Sequence, residues 1–242
     1  MSMIKIGCCG FPVKKSVYYN EFEVVEVQKT FYDPRGVNTF RKWRDEAPQG
    51  FEFTIKAWQG VTHPMKSPTW KRYKGELKGS KDNYGLLKYT EEVKWAWEQT
   101  LEAADSLDAD KIIVQLPPSL DWDSHHDDII KTLEYMRGSG KKLIIEPRHS
   151  SWFKEDVYKL FRDMELTFCT DPFKNNIVDV GGDLIYLRLH GIGGYKYQYT
   201  DEDLKNLYNL VNKHINTSKM IYVMFNNVYM YDDAQRFKKL IS

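Results

Sequence analysis

The fold of this chain is decided by two stretches, Leu143-Ile144-Ile145-Glu146-Pro147-Arg148-His149 and Leu184-Ile185-Tyr186-Leu187-Arg188-Leu189-His190. Each begins as an apolar run and ends in charged residues and a histidine. Continuous apolar runs are typical of parallel strands that are buried on both faces, and such strands tolerate charges only at their ends. Because α/β proteins build their sites at the carboxyl ends of parallel strands, these stretches predict a parallel sheet and locate its functional site.

Eight short apolar runs along the chain predict eight strands. They cover residues 4–7, 24–28, 51–56, 111–115, 143–146, 167–170, 184–189 and 221–225. Most of these runs are continuous rather than alternating, and helical patterns separate many of them. Strands that alternate with helices form parallel sheets through right-handed crossovers, and eight strands in 242 residues fit a closed barrel better than an open sheet.

The predicted barrel is irregular, because several connections lack a clear helical stripe. Residues 8–23 and 171–183 are short and contain Pro or Gly, and residues 57–90 form a long connection rich in Lys. We therefore expect an α/β fold, an irregular TIM-type (β/α)8 barrel with some crossover helices short or missing. Residues 1–242 are expected to form a single barrel domain with a basic insertion at about 57–90.

Three positions indicate where helices begin. Thr90 precedes a helical stripe and is a favoured capping residue. The patterns Ser124-x-x-Asp127 and Thr200-x-x-Asp203 both resemble capping boxes, in which two side chains satisfy the first backbone N–H groups of a helix. We therefore expect helices to start after Thr90, Ser124 and Thr200.

The composition argues against several classes of protein. Lys and Arg number 35 against 34 Asp and Glu, so the net charge of +1 predicts no strong attraction to nucleic acid or an anionic membrane. No stretch approaches the roughly 20 apolar residues that span a bilayer, and the N-terminus lacks the apolar region of a signal peptide. Three cysteines without a Cys-x-x-Cys pair indicate a reducing compartment and no structural zinc site. We expect a cytoplasmic protein without a membrane partner, and its oligomeric state stays open.

Several motifs in a fixed order resemble one protein family. They are Val25-Glu26-Val27-Gln28-Lys29-Thr30-Phe31-Tyr32, Phe53-Thr54-Ile55-Lys56, Thr62-His63, Gln115-Leu116-Pro117-Pro118-Ser119, Glu146-Pro147-Arg148-His149-Ser150-Ser151-Trp152, Tyr186-Leu187-Arg188-Leu189-His190-Gly191 and Phe225-Asn226-Asn227. Over nearly the whole chain they resemble the DUF72, or YecE-like, family of uncharacterised TIM-barrel proteins. The resemblance implies a TIM-type barrel and brings no settled activity.

Two positions depart from the pattern of that family. Its first motif usually ends in Trp, where this chain reads Gly7-Cys8-Cys9-Gly10-Phe11. Its second motif usually carries Asn two residues after its Glu, where this chain has Gln28. Both departures lie at the rim formed by the first two strands.

The strand ends carry an unusual number of polar side chains. Side chains two residues apart on a strand share a face, so a closed barrel brings nine of them towards one mouth. They are Glu26, Gln28, Lys56, Gln115, Glu146, Arg148, Arg188, His190 and Asn226. Burying so many charges solely for stability is a poor strategy. The set therefore predicts a pocket for a polar, anionic ligand.

Four of these residues are candidates for catalysis. Glu146 and Glu26 are the candidate general bases or acids, and His190 titrates near neutrality and could shuttle a proton. Lys56 could serve as a point charge, or as a nucleophile if neighbouring arginines depress its pKa. The chemistry expected from this set is hydrolysis, elimination or isomerisation.

The remaining candidates are expected to bind the ligand. Arg148 and Arg188 offer planar forks that suit phosphate or carboxylate groups. The family motif places His63 near the rim, and His149 follows the fifth strand. The predicted ligand-binding residues are Arg148, Arg188, Gln115, Asn226, Gln28, His63 and His149.

Two other kinds of site deserve comparison with the anion pocket. Paired carboxylates are also used in glycoside hydrolysis, although the nearby cations favour anionic rather than neutral sugars. Glu26, Glu146, His149 and His190 could ligate a divalent metal, but three permanent cations in the same mouth would oppose it. We therefore favour no metal, and the sequence indicates no cofactor.

The basic insertion suggests an alternative function. Residues 60–88 contain seven basic and two acidic residues, with Trp70, Tyr73 and Tyr84 interleaved. Basic and aromatic residues together can track a single-stranded nucleic acid, and the same composition suits a solubilising lid. The leading hypothesis is an enzyme acting on a small anionic ligand. The alternatives are a nucleic-acid-binding or nucleic-acid-processing barrel that uses residues 60–88, and a binding or regulatory barrel without turnover.

Overall fold

The computed structural model describes residues 4–217 and 219–241, without the side chain of residue 216. Within these residues the chain forms eight strands: β1 (Ile4–Cys8), β2 (Val24–Val27), β3 (Glu52–Lys56), β4 (Lys111–Gln115), β5 (Lys142–Glu146), β6 (Thr167–Phe168), β7 (Leu184–Leu189) and β8 (Met220–Phe225). They form one sheet in the order β6-β5-β4-β3-β2-β1-β8-β7. The eight predicted runs are therefore confirmed as strands, with shifts of a few residues at their ends.

The helices between the strands vary greatly in length. They are α1 (Lys15–Glu21), α2 (Lys29–Tyr32), α3 (Val37–Glu46), α4 (Gln59–Thr62), α5 (Glu91–Ser106), α6 (His126–Arg137), α7 (Glu155–Asp163), α8 (Asp201–Asn212) and α9 (Met230–Ile241). Both α2 and α4 are single turns, and residues 169–183, all of them described, contain no helix. No helix among the described residues is long and apolar enough to cross a membrane.

The strand order is that of a TIM-type (β/α)8 barrel, as predicted. Neighbouring strands pair in parallel, for example Ile6 with Val223 and Ile113 with Ile144. The two terminal strands of the order are joined by a parallel bridge between Thr170, just after β6, and Leu187 of β7. The prediction that some crossover helices are short or missing is also confirmed.

The chain divides into two compact units. The first takes Met1–Glu26, Pro48–Glu52 and Thr167–Ser242, and the second takes Val27–Ala47 and Phe53–Leu166. Strands β1, β6, β7 and β8 lie in the first unit, and β3, β4 and β5 lie largely in the second. All six residues of β7 and the apolar residues of β4 and β5 are buried, as the continuous apolar runs predict.

The helix α1 lies where the sequence predicts none, within residues 8–23. It is held by one buried tyrosine rather than by an apolar stripe. The Tyr18 hydroxyl donates to the carbonyl of Val24 at 2.9 Å and accepts from the backbone N–H of Cys8 at 2.7 Å. A single side chain with two backbone partners therefore fixes this helix, and such an anchor leaves no periodic signal in a sequence.

Two of the three predicted helix starts are confirmed. The Thr90 side chain accepts from the N–H of Val93, and Thr200 with Asp203 forms a complete capping box. The expected start at Ser124 is wrong, because α6 begins at His126 and its N-cap side chain makes no capping bond. The N–H of Ser124 instead donates to Asp121 within a turn.

Candidate functional site

A fully buried ion pair joins β2 and β7 in the first unit. The Arg188 guanidinium donates to both carboxylate oxygens of Glu26, through NH2 to Oε1 at 2.8 Å and through Nε to Oε2 at 3.1 Å. The Tyr186 hydroxyl adds a third bond to Oε2 at 3.0 Å. Both charged side chains are 0% exposed, so each charge is satisfied inside the protein.

The surroundings of this pair are closed to solvent. Cys9 is buried beside it, and burial raises the pKa of the Cys9 thiol well above its usual range, with the Glu26 charge acting in the same direction. Glu26 was expected to be catalytic and Arg188 to bind ligand at an open mouth. The structure differs, because neither side chain offers surface to a ligand while the two hold each other.

A second polar group lies at the ends of β7 and β8 in the same unit. The Asn226 amide nitrogen is 3.1 Å from Nδ1 of His190, which confirms that these two predicted residues are neighbours. The backbone N–H of His190 donates to Asp171 Oδ2 at 3.0 Å. Sequence reasoning missed Asp171, although it comes directly after the predicted strand run 167–170. Its buried carboxylate holds the main chain where β7 ends.

In the second unit, Lys56 ends β3 among groups that favour its charged form. Its ammonium nitrogen donates to Gln115 Oε1 at 2.6 Å and lies 3.7 Å from the centre of the Phe31 ring. An aromatic face and an amide oxygen both stabilise an ammonium ion. The side chain is buried, and its backbone carbonyl accepts from the Thr30 hydroxyl at 2.7 Å.

Glu146 and Arg148 form an ion pair at the end of β5. Nη2 of Arg148, two residues beyond the last residue of β5, lies 2.8 Å from Glu146 Oε1. Only 4% of the Glu146 side chain is exposed, against 29% for Arg148. The guanidinium therefore covers the carboxylate and presents part of itself to solvent. Gln115 of β4 lies directly beside Glu146 in the strand register.

His63 lies near both cations of this group. Its Nδ1 is 2.8 Å from the Thr62 hydroxyl, and its ring packs edge-on against Phe31 at 4.9 Å. Burial, together with the charges of Lys56 and Arg148, lowers the pKa of His63 to about 4. The imidazole is therefore neutral at pH 7. We call Lys56, His63, Gln115, Glu146 and Arg148 the cationic cluster.

Two predicted ligand-binding residues are placed differently from the expectation. Gln28 is not in β2, because the strand ends at Val27 and Gln28 has helical backbone angles as the N-cap of α2. The argument that it shares a strand face with Glu26 is therefore wrong. His149 uses Nδ1 to cap a short 3-10 helix, where it accepts from the N–H of Ser151. Only its Nε2 side is left for another partner.

The predicted residues thus fall into two described groups. The first unit holds Glu26, Arg188, His190 and Asn226, and the second holds Gln28, Lys56, His63, Gln115, Glu146, Arg148 and His149. The expectation of one common mouth stays a prediction. The cationic cluster is the group that can bind a ligand by itself, because it combines two cations with a carboxylate, an amide and a neutral imidazole.

Comparisons with known proteins fit this geometry. The family described as "Protein of unknown function DUF72" matches residues 14–242 of the chain. The chain belongs to this family. The resemblance drawn from the sequence motifs is therefore confirmed.

Individual relatives share modest sequence identity with this chain. The UPF0759 protein YunF of Bacillus subtilis (strain 168) is 22% identical over 94% of this chain and 85% of its own length. A DUF72 protein of Enterococcus faecalis V583 superposes with a TM-score of 0.76 at 19% identity, covering 100% of this chain and 98% of that one. One from Thermotoga maritima MSB8 gives 0.72 at 24% identity, covering 99% of both.

More distant solved structures share the fold. A xylose isomerase domain containing protein of Salmonella typhimurium LT2 gives a TM-score of 0.59 at 13% identity over 100% of this chain and 96% of that one. D-psicose 3-epimerase of Clostridium cellulolyticum H10, solved with D-tagatose, gives 0.56 at 12% identity over 98% and 97%. At such identities the likeness concerns the fold alone, and it supports the TIM-type barrel.

Some aromatic rings of the basic insertion of this DUF72 protein are buried, whereas Tyr73 is half-buried and Tyr89 is exposed. Trp70 and Tyr84 are buried and pack on the ring of Trp58, at centroid distances of 5.7 and 6.2 Å. The lysines of the segment are mostly exposed, and Lys78 lies over the ring of Trp95. Stacking of nucleic-acid bases requires exposed rings. Of the three rings that suggested nucleic-acid binding, Trp70 and Tyr84 are therefore not available for stacking, and the alternative stays a prediction.

A metal site would need several ligating side chains close together. Over residues 4–217 and 219–241, no three His, Cys, Asp or Glu side chains are grouped so that they could hold a metal ion. The four residues considered for that role are Glu26, Glu146, His149 and His190. The carboxylate of Glu146 is instead paired with Arg148, and that of Glu26 with Arg188.

The neutral state of His63 predicts how stability depends on pH. The pKa of His63 is about 4 in the folded protein and about 6.5 when unfolded, so the unfolded chain takes up the proton first. The stability that depends on a neutral His63 is present above pH 6.5 and is lost as the pH falls towards 4. The loss reaches about 3 kcal/mol.

Urea unfolding between pH 7 and pH 4.5 checks this expectation. The natural protein and a His63→Gln variant, which cannot titrate there, should differ by a free energy that changes steadily as the pH falls. Parallel curves for the two proteins would show that His63 is not held neutral by folding.

Proposed function

We propose that this DUF72 protein is an enzyme that acts on a small anionic ligand at the carboxyl ends of β3, β4 and β5. The ligand is phosphorylated or carboxylated and carries sugar-like hydroxyl groups. The observation that supports the proposal is the cationic cluster, in which Arg148 pairs with Glu146 and Lys56 donates to Gln115, the neighbour of Glu146 in the strand register. The excess of positive charge matches an anion.

A purely structural cluster would be built differently. Two apolar residues of similar volume often stabilise a core as well as a buried ion pair does. Here a second cation, Lys56, is buried near Arg148, and both lower the pKa of the histidine beside them. Like charges gathered in one place cost stability unless an anion joins them. This is why the cluster suggests binding.

Each member of the cluster has a role in the proposal. Lys56 supplies a positive charge, which its contacts with Phe31 and Gln115 hold in place. Arg148 offers its partly exposed fork to a phosphate or carboxylate. Glu146 is the candidate acid–base group, and the neutral His63 is a hydrogen-bonding or proton-transfer partner.

The reaction class follows from the same groups. A carboxylate and a neutral imidazole move protons without an oxidant or reductant, which favours hydrolysis, elimination or isomerisation. Isomerisation of a phosphorylated or carboxylated sugar is the first to assay, because D-psicose 3-epimerase, solved with D-tagatose, has a similar fold. That likeness guides the choice of assay and carries no further weight.

A thermal-shift screen tests the proposal. The natural protein is heated with inorganic phosphate, sugar phosphates, small carboxylates, neutral sugars and short oligonucleotides. A ligand at 100 times its dissociation constant stabilises by about 2.7 kcal/mol. For a chain of this size this raises the melting temperature by roughly 5–10 °C. We expect such a rise with small anions and none with neutral sugars.

Two outcomes would overturn the proposal. Stabilisation by neutral sugars alone would show that the cations do not select the ligand. Stabilisation by oligonucleotides alone, weakening steeply with added salt, would favour the exposed lysines of residues 60–88 as a nucleic-acid surface.

A further inference from the structure

His63 follows a helix that is too short to support itself. The helix α4 is a single turn, Gln59–Thr62, and His63 is its C-cap. The last carbonyl groups of any helix have no partner within the helix, and a single turn consists almost entirely of such groups. The position of His63 therefore depends on what satisfies these carbonyls.

The basic insertion supplies a donor to each of four consecutive carbonyls. The bonds run from Gly85 N–H to Gly60 O at 2.9 Å, Leu87 N–H to Val61 O at 3.1 Å, Leu86 N–H to Thr62 O at 2.9 Å, and Trp70 Nε1–H to His63 O at 3.1 Å. All the donors come from residues 70–87, within the insertion. The turn that carries His63 is thus held along its whole length by this segment.

The donor segment adopts an unusual backbone to reach the turn. Gly85, Leu86 and Leu87 are consecutive and all left-handed, with φ of +78°, +57° and +50°. A left-handed conformation costs roughly 1–2 kcal/mol for a residue other than glycine. Strain of this kind persists only where surrounding contacts enforce it, and it concentrates at functional sites.

Gly85 is required by the closeness of the contact. A Cβ atom at this position would lie 2.4 Å from both the carbonyl carbon and the carbonyl oxygen of His63. No side chain fits there unless the backbone of one segment moves. Aromatic packing also holds the donor segment in place, because the buried rings of Trp70 and Tyr84 pack on each other at 5.9 Å.

We propose that residues 70–87 of the basic insertion position His63 within the cationic cluster, and that Gly85 and Trp70 are its positioning residues. This inference rests on the proposed function insofar as His63 belongs to the ligand site. It gives this part of the insertion a role that neither a solubilising lid nor a nucleic-acid surface would explain.

A matched pair of glycine variants tests the inference. Gly85→Ala introduces the clash with His63, whereas Gly140→Ala introduces alanine at φ +73° with nothing within 4 Å. Both variants place alanine at a similar positive φ, so their difference reports mainly the contact with His63. We expect the His63 imidazole, followed by NMR between pH 5 and pH 8, to stay neutral in Gly140→Ala and to titrate in Gly85→Ala.

Binding of inorganic phosphate provides the second readout. We expect Gly85→Ala to weaken it roughly tenfold, since a displacement of about 1 Å in a site can cost up to a hundredfold. Gly140→Ala should leave it unchanged. If phosphate does not bind the natural protein, the proposed function is in doubt, while the titration of His63 still decides the positioning role.

A second pair of variants keeps the test decisive if Gly85→Ala does not fold. Trp70→Phe removes the donor to His63 and keeps an aromatic ring in the cluster. Its control is Trp152→Phe, which removes a similar bond from a buried Trp to the carbonyl of Leu120 at 2.9 Å. An unchanged His63 titration in every variant that folds would overturn the inference.

Discussion

Replacing Arg188 by Met is expected to lower the free energy of unfolding by about 3–5 kcal/mol, the usual cost of breaking a buried ion pair. The substitution leaves the Glu26 carboxylate with no surface exposed to water and without its two bonds from the guanidinium. The Tyr186 hydroxyl can still donate one bond. For a chain of this size, the melting temperature should fall by roughly 6–20 °C.

The control for this experiment is a second Arg–Glu pair at the surface. NH2 of Arg137 lies 3.3 Å from Glu165 Oε2, with the two side chains 50% and 80% exposed. Arg137→Met should therefore change the free energy of unfolding by no more than about 1 kcal/mol. Equal losses in the two variants would contradict the view that burial makes the Glu26–Arg188 pair sensitive.

A double variant separates packing from chemistry in the same pair. Glu26→Leu combined with Arg188→Met replaces both charges by apolar side chains, which often restores or improves stability. We expect most of the lost stability to return. A double variant that is stable yet inactive on a ligand found by the screen would assign the pair a part in the chemistry.

The strands could be predicted because their signal is local. Each apolar run is continuous, and continuous burial is what a parallel sheet imposes on its strands. The errors lie at the strand ends, because contacts between distant parts of the chain decide where a strand stops. Residues 167–170 were expected to be a strand, but β6 stops at Phe168, and Gln28 turns into α2 instead of ending β2.

Pairs of side chains could be predicted only where they are close in sequence. Glu146 and Arg148 were expected on one side of the chain because they are two residues apart, and they do form an ion pair although β5 ends at Glu146. The pair of Glu26 and Arg188 joins residues 162 positions apart, and only the full sheet reveals that each neutralises the other. The sequence therefore indicated that both charges lie near strand ends. It did not reveal that they pair with each other and are closed to solvent.

The composition of the basic insertion does not decide between its two interpretations. Seven basic residues with Trp70, Tyr73 and Tyr84 among them fit a nucleic-acid surface, and they equally fit a segment that packs its rings against the protein. What distinguishes the two is which rings are buried, and Trp70 and Tyr84 are buried by packing on Trp58, which itself packs on Trp95 of α5. Likewise, nothing in the sequence reveals that Gly85 contacts the backbone of His63.

Two substitutions in the cationic cluster are expected to change anion affinity in opposite directions. Lys56→Met removes a positive charge, and the loss of a charge-assisted hydrogen bond of about 1.5–3 kcal/mol weakens binding of inorganic phosphate by roughly 10–150-fold. Glu146→Gln removes the negative charge that pairs with Arg148 and should preserve or strengthen phosphate binding. Calorimetric titration at low salt measures both.

Glu146→Gln should at the same time abolish turnover of the substrate that the screen identifies. A positioned acid–base group contributes about 10²–10⁴-fold to a rate, and an amide of the same shape cannot transfer the proton. Exposed residues of α6 supply the controls, since Lys131→Met and Glu134→Gln change the same charges away from the cluster. Full activity in Glu146→Gln would exclude Glu146 as the acid–base group, and loss of phosphate binding in that variant would show that Glu146 organises the site instead of catalysing the reaction. Retained binding without turnover is the one combination that a structural ion pair cannot produce, because a merely structural Glu146 would lose both properties together or neither.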